Sequence, residues 1–193
     1  LNRYGADGGF VYFRGDLSHT QTLWWGFEGF GKISGQLSNQ PLVSSEQISG
    51  GGLSTVRGYM EAQAVGDDGV FGTLELRTPS VLAWFGGSLA KKPGDGNADN
   101  TKPAETDKRA ADLTTKPVFD WKFHVFGDAG GLTLMDSLPK QKARFGMVSV
   151  GAGTRLTYGE HGSASLDAGY PIYTLGRTKA QDWRLTFRAG ISF

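Results

Sequence analysis

The feature that most constrains this chain is the strict two-residue alternation of its last segment. From Asp182 to Phe193, the residues Trp183, Leu185, Phe187, Ala189, Ile191 and Phe193 share one face, and Asp182, Arg184, Thr186, Arg188, Gly190 and Ser192 share the other. An extended strand places successive side chains on opposite faces, so this pattern specifies a strand with one apolar and one polar side. The run is as long as the roughly 9–11 residues that a tilted strand needs to cross a bilayer.

The same period recurs upstream. Trp121 to Gly131 sets Trp121, Phe123, Val125 and Ala129 against Lys122, His124 and Asp128, and Val70 to Thr78 sets Val70, Leu74 and Leu76 against Thr73, Glu75 and Arg77. Phe10–Leu17, Trp25–Leu37, Glu46–Gly51, Gly146–Tyr158 and Ser163–Tyr170 are further strand candidates, which makes about eight in all, the Glu46 stretch being short. Composition agrees: 30 glycines and 12% aromatic residues favour strands and turns over helices. No apolar run approaches the roughly 20 residues of a membrane-spanning helix. The mean hydropathy of −0.31 does not count against a barrel, whose strands show lipid only every second residue. The formal charge of +1 gives no basic field for nucleic acid, and the absence of cysteine excludes a disulfide framework, a thiolate metal site and a cysteine nucleophile. The chain opens on Leu1 with no signal peptide, so an N-terminal portion is expected to precede it.

A soluble β-sandwich also alternates, and the lengths of the links separate the two classes. Counting back from a last strand that ends in the periplasm, the longer links Gly50–Asp68, Met135–Arg144 and Pro171–Gln181 fall outside the cell, and short turns such as Gly159–Gly162 fall inside. Outer-membrane barrels show this asymmetry. The exception is the polar stretch 86–117, expected to be a disordered or solvated periplasmic insertion.

Two short motifs go further. Val56-Arg57-Gly58-Tyr59 follows the run Gly50-Gly51-Gly52 and precedes Gly66-Asp67-Asp68-Gly69; Phe126-Gly127-Asp128-Ala129-Gly130 lies within a candidate strand. Together they resemble the BamA/TpsB superfamily of outer-membrane barrels. There, a loop carrying VRGY folds into the lumen and its arginine meets the aspartate of an F-x-D-x-G strand. Upstream, Ser34-Gly35-Gln36-Leu37, Pro41-Leu42 and Glu46-Gln47-Ile48-Ser49-Gly50-Gly51 are similar to the approach to VRGY in TpsB transporters of the haemolysin and filamentous-haemagglutinin type. The resemblance implies an antiparallel transmembrane β-barrel of 16 strands, of which residues 1–193 give about the last eight. Residues 50–68 would be the lumen-entering loop, and POTRA domains would stand before the barrel. It also implies a pore that exports a secreted TpsA-type passenger protein. The alternatives are a BamA- or TamA-like assembly factor and a passive outer-membrane channel.

Physics supports an anchor for such a loop. A loop entering a wide, water-filled barrel loses about 1–2 kcal/mol of conformational entropy per fixed residue, and something must hold it. An arginine fork grips carboxylates in bidentate fashion, and neighbouring glycines admit close backbone approach. Asp128 is the first choice of partner for Arg57 and Glu75 the second, with Val56, Gly58, Tyr59, Phe126 and Gly130 completing the motif residues. Trp183, Phe187 and Phe193 resemble the terminal aromatic signal read by the barrel-assembly machinery, and they also suit anchoring in outer-membrane lipid. An extended substrate would slide past the polar wall residues Arg155, Asp167, Arg184 and Arg188. No catalytic site is expected: His19, His124 and His161 are scattered and show no metal spacing, the glycine runs lack a phosphate-loop ending, and no cofactor is implied.

Overall fold

The structure is a computed structural model in which residues 5–6, 9–81, 119–159 and 161–192 are described. The expected insertion 86–117 and the terminal Phe193 lie outside these residues.

Nine strands are present among the described residues: β1 (Tyr12–Thr22), β2 (Glu28–Ser38), β3 (Ile48–Gly50), β4 (Ala64–Gly66), β5 (Asp68–Arg77), β6 (Phe119–Thr133), β7 (Arg144–Tyr158), β8 (Gly162–Pro171) and β9 (Arg184–Ile191). Seven form one antiparallel sheet in the order β1-β2-β5-β6-β7-β8-β9, so each strand pairs with the next one along the chain except where β3 and β4 intervene. The sheet is not closed in this chain; β1 and β9 are its two ends. The architecture is the antiparallel all-β one expected from the alternation, with one correction.

That correction concerns the Glu46–Gly51 stretch, expected as a short member of the main sheet. Its ordered part, β3, pairs only with β4 in a separate two-stranded ribbon, through Ile48–Gly66, Ser49–Val65 and Gly50–Ala64. The described sheet therefore has seven strands rather than eight. A three-residue strand cannot span a bilayer, and its partner lies within the same connection, so the ribbon belongs to the loop. The chain also turns later than expected: β1 runs on to Thr22, Trp24–Gly26 form a 3-10 turn, and β2 starts at Glu28 rather than at Trp25.

Register assigns every strand residue to a face. Phe13 and Leu17 on β1, Ile33 on β2, Leu74 on β5 and Leu185, Phe187 and Ile191 on β9 are exposed, and all lie on one side of the sheet. The opposite side carries Glu75, His124, Asp128 and Asp167, all buried, because the 39–67 connection folds back over it. Val56, Tyr59 and Ala64 of that connection meet Phe71, Leu132 and Met147 of the sheet in a small apolar core, to which Leu175 adds. This arrangement is inverted relative to a soluble sandwich, in which the wide apolar face is the buried one.

Antiparallel pairing sends the connections 39–67, 134–143 and 172–183 to one edge of the sheet, and 23–27 and the β7–β8 turn to the other. Among the described residues the short links fall on one edge and the longer ones on the other, as in outer-membrane barrels.

Candidate functional site

The site forms where the tip of the 39–67 connection meets the inner face of β5–β8. Arg57 is only 7% exposed. Its Nε donates to Asp128 Oδ2 at 2.8 Å and its second terminal nitrogen donates to Asp128 Oδ1 at 2.8 Å, a two-point grip on one carboxylate. The other terminal nitrogen donates to Glu75 Oε1 at 2.7 Å and stands 3.6 Å from Asp167 Oδ1. The backbone N–H of Arg57 adds a bond to Asp128 Oδ2 at 3.0 Å, so Asp128 fixes main chain and side chain together. Below, the guanidinium carbon lies 3.5 Å from the centroid of the Phe126 ring, where the negative face of the aromatic attracts the cation. Phe126 and Asp128 of the Phe126–Gly130 motif thus both hold Arg57 directly.

The charges are shared through a wider network. Glu75 also accepts from Arg77, from Nε at 2.9 Å and from a terminal nitrogen at 2.7 Å. Asp167 Oδ1 lies 2.7 Å from His124 Nε2. Two guanidiniums and one imidazole therefore meet three carboxylates, the sort of pairing that makes burial of so many polar groups tolerable. Burial pulls the Arg57 pKa down, but the hydrogen bond and charge of Asp128, followed by those of Glu75, more than offset it and hold it above the usual value. Arg57 thus keeps its charge across the biological pH range.

Two glycines make the approach possible. Gly58 has φ +89°, and a Cβ there would sit 3.1 Å from the Gly169 carbonyl carbon of β8. A Cβ on Gly130 would overlap the Phe71 ring and lie 3.2 Å from Val56. Tyr59 completes the motif: it is buried, and its hydroxyl donates to the Tyr173 carbonyl at 2.8 Å and accepts from the Tyr173 N–H at 3.3 Å. The VRGY segment thereby reaches β5, β6, β8 and the 172–183 connection at once.

Two residues of the site were not assigned this place by sequence reasoning. Asp167 was expected as a polar wall residue and His124 on the polar face of its strand; both are buried, and Asp167 belongs to the Arg57 cluster. A second carboxylate, Asp67 of the Gly66–Gly69 motif, has no exposed surface and organises the base of the connection. It accepts from the Leu42 N–H at 3.0 Å, from Gln47 Nε2 at 3.2 Å and from the Met135 N–H at 2.7 Å. Gln36 Nε2 donates to the Asp67 carbonyl at 2.9 Å, and Gln36 Oε1 accepts from Arg14 at 2.7 Å. Gln36, Leu42 and Gln47 were noted as part of the upstream resemblance, and their convergence on one residue, Asp67, through its carboxylate and its main-chain carbonyl, is what spacing alone does not reveal.

Trp183 and Phe187 project from the outer, apolar side, 66% and 67% exposed. Arg155, Arg184 and Arg188 lie on the inner side with the loop.

Comparison with known proteins fits this geometry. Residues 6–92 match the family described as haemolysin secretion/activation protein ShlB/FhaC/HecB, a span that contains the VRGY loop and Glu75. No curated protein sequence matches the chain. Among solved structures the chain is similar to CdiB from Acinetobacter baumannii, with a TM-score of 0.54 and 17% identity over 93% of this chain. The chain spans about a quarter of that structure, 26% of its length. The chain is thus similar to the haemolysin secretion/activation family over residues 6–92, and it shares its fold with part of CdiB.

Proposed function

We propose that this chain forms part of the wall of an outer-membrane barrel, with the 50–68 loop inside its lumen, and that the barrel exports a large unfolded passenger protein. The single observation that carries the reading is the buried Arg57–Asp128–Glu75 contact, made on the side of the sheet opposite its exposed apolar residues. A sheet with a lipid-compatible outside and a polar, loop-filled inside suits a barrel in a bilayer. Its open ends would be closed by strands lying elsewhere in the complete protein, since unpaired edges are not tolerated in lipid.

In this reading the loop is a plug or brace and Arg57 its anchor. The transport step involves no catalysis: the passenger crosses extended, and the wall supplies only weak polar contacts. The exposed aromatics Trp183 and Phe187, together with Phe193, serve as lipid anchors and as the terminal signal for barrel assembly. The cell outer membrane of a Gram-negative bacterium is the location this requires.

Deletion of the gene tests the function, read by comparing the proteins in the culture medium and in the outer membrane. Loss of one large secreted protein with an unchanged outer membrane supports the transporter. A broad fall in other outer-membrane barrels would instead identify an assembly factor of the BamA or TamA type. Reintroduction of Arg57→Ala tests the anchor: unaltered secretion together with an unaltered loop position would remove Arg57 from the mechanism.

A further inference from the structure

We propose that the inner side of β7–β9, beside the docked loop, is a basic track that takes acidic segments of the translocating polypeptide. The proposal rests on the transporter reading and adds to it the chemistry of the chain that passes.

Register places Arg155 of β7 opposite Ser165 of β8, and Ser165 opposite Arg188 of β9, so the two arginines flank a serine in one row. At roughly 4.8 Å between neighbouring strands they stand about 10 Å apart at the backbone. Arg184 pairs with Gly169, one of the residues on which the VRGY loop rests, and lies on the same side of β9 as Arg188. The two are about 13 Å apart along the strand at ~3.3 Å per residue. An extended polypeptide lying along β9 matches that separation with carboxylates at positions i and i+4.

The contrast with the rest of this side is what gives the track its sign. On β2 and β6 the lysines are paired, Lys32 with Asp16 at 3.7 Å and Lys122 with Glu28 at 3.0 Å, and on β1 Arg14 is held by Gln36 Oε1 at 2.7 Å and the Glu46 carbonyl. Among the described residues, none of Arg155, Arg184 and Arg188 has a carboxylate within ion-pair distance. Asp167, the acidic residue on the inner side of β8, is bound by His124 and Arg57, and Arg155 acts on it only through its field, outside ion-pair distance. The rest of that side of β8 and β9 presents Ser163, Ser165 and Thr186, which add hydroxyl donors and no negative charge. Arg155 and Arg188 are exposed, so their guanidiniums are available to a passing chain. An arginine fork binds carboxylates more specifically than an ammonium does, and a row of weak, repeated contacts holds a chain without trapping it.

The test uses the complete transporter purified in detergent micelles, titrated with fluorescently labelled poly-glutamate and, separately, poly-lysine, with binding read as anisotropy at low salt. The wild type is expected to bind poly-glutamate at least tenfold more tightly than poly-lysine. The triple variant Arg155→Gln, Arg184→Gln, Arg188→Gln is expected to lose that preference while keeping the heat-dependent gel shift of a folded barrel. Should the triple variant not assemble, Arg188→Gln and Arg155→Gln alone are each expected to weaken poly-glutamate binding about threefold. Equal binding of the two polymers by the wild type, or poly-glutamate binding untouched in folded variants, overturns the track. The transporter reading fails separately, through a gene deletion that costs no secreted protein. Charge-selective binding would survive that outcome.

Discussion

Arg57 is held by geometry that no other side chain reproduces. Three of its N–H directions point at two carboxylates in one plane, its backbone N–H joins one of them, and an aromatic ring closes the remaining face. Removing it leaves Glu75, Asp128 and Asp167 buried with one cation fewer, and breaking a buried ion pair on one side costs about 3–5 kcal/mol. Arg57→Ala is therefore expected to release the loop tip by that amount. Hydrogen exchange at the Val56 and Tyr59 amides is the readout, and exchange as slow as in the wild type would show that the apolar core alone holds the tip. The double variant Arg57→Ala, Asp128→Ala is expected to cost less than the sum of its parts, because the orphaned charge leaves as well. Gly58→Ala faces two penalties, a φ of +89° and a Cβ 3.1 Å from the β8 backbone, and is expected to destabilise the docked tip by about 1–3 kcal/mol. Had Gly58→Ala no effect on those same amides, the close approach to Gly169 would not be needed for docking.

The strands themselves were largely legible because a sheet with unlike faces writes its orientation into the sequence at period two. Asp182–Phe193 and Trp121–Gly131 show this, with β9 and β6 following the expected faces residue by residue. Glu46–Gly51 was misplaced because alternation over a few residues does not say which partner a strand pairs with. Its partner is β4, and only three residue pairs connect them. The motif residues around Arg57 were readable through a resemblance, while Asp167 and Asp67 were not. Asp167 is 110 residues from Arg57 in the chain, and no local pattern marks it as a neighbour. Orientation gives a direct test on β9. Phe187→Arg is expected to cost about 2–4 kcal/mol if the residue lies near the bilayer midplane, and Thr186→Arg, one position away and facing inward, close to nothing. Reversible urea unfolding in lipid vesicles measures both, and equal costs would mean that the outer face does not meet lipid.

For the whole molecule the decisive property is the pair of sheet ends. Both β1 and β9 carry a row of backbone groups that this chain does not pair among its described residues, and β9 also presents Leu185, Phe187 and Ile191 beside that edge. In water such an edge templates association with another copy; in lipid each unsatisfied group costs several kcal/mol, so the edge must be closed. The loop cannot do this, because it lies across the inner face, bound at its tip by Asp128 and at its base by Asp67. Two anchors on one sheet also mean that the loop can dock before a barrel is complete, since Glu75, Asp128, Asp167 and Met135 are all supplied here. Residues 1–193 produced alone in detergent are accordingly expected to keep the Arg57 tip protected from proteolysis and yet to self-associate through β1 and β9. Supplying the rest of the barrel as a second polypeptide should then abolish self-association and give a heat-dependent gel shift. A monomeric fragment with that shift would mean that the seven strands close on themselves, and the barrel would be far narrower than one able to hold both this loop and a passing chain.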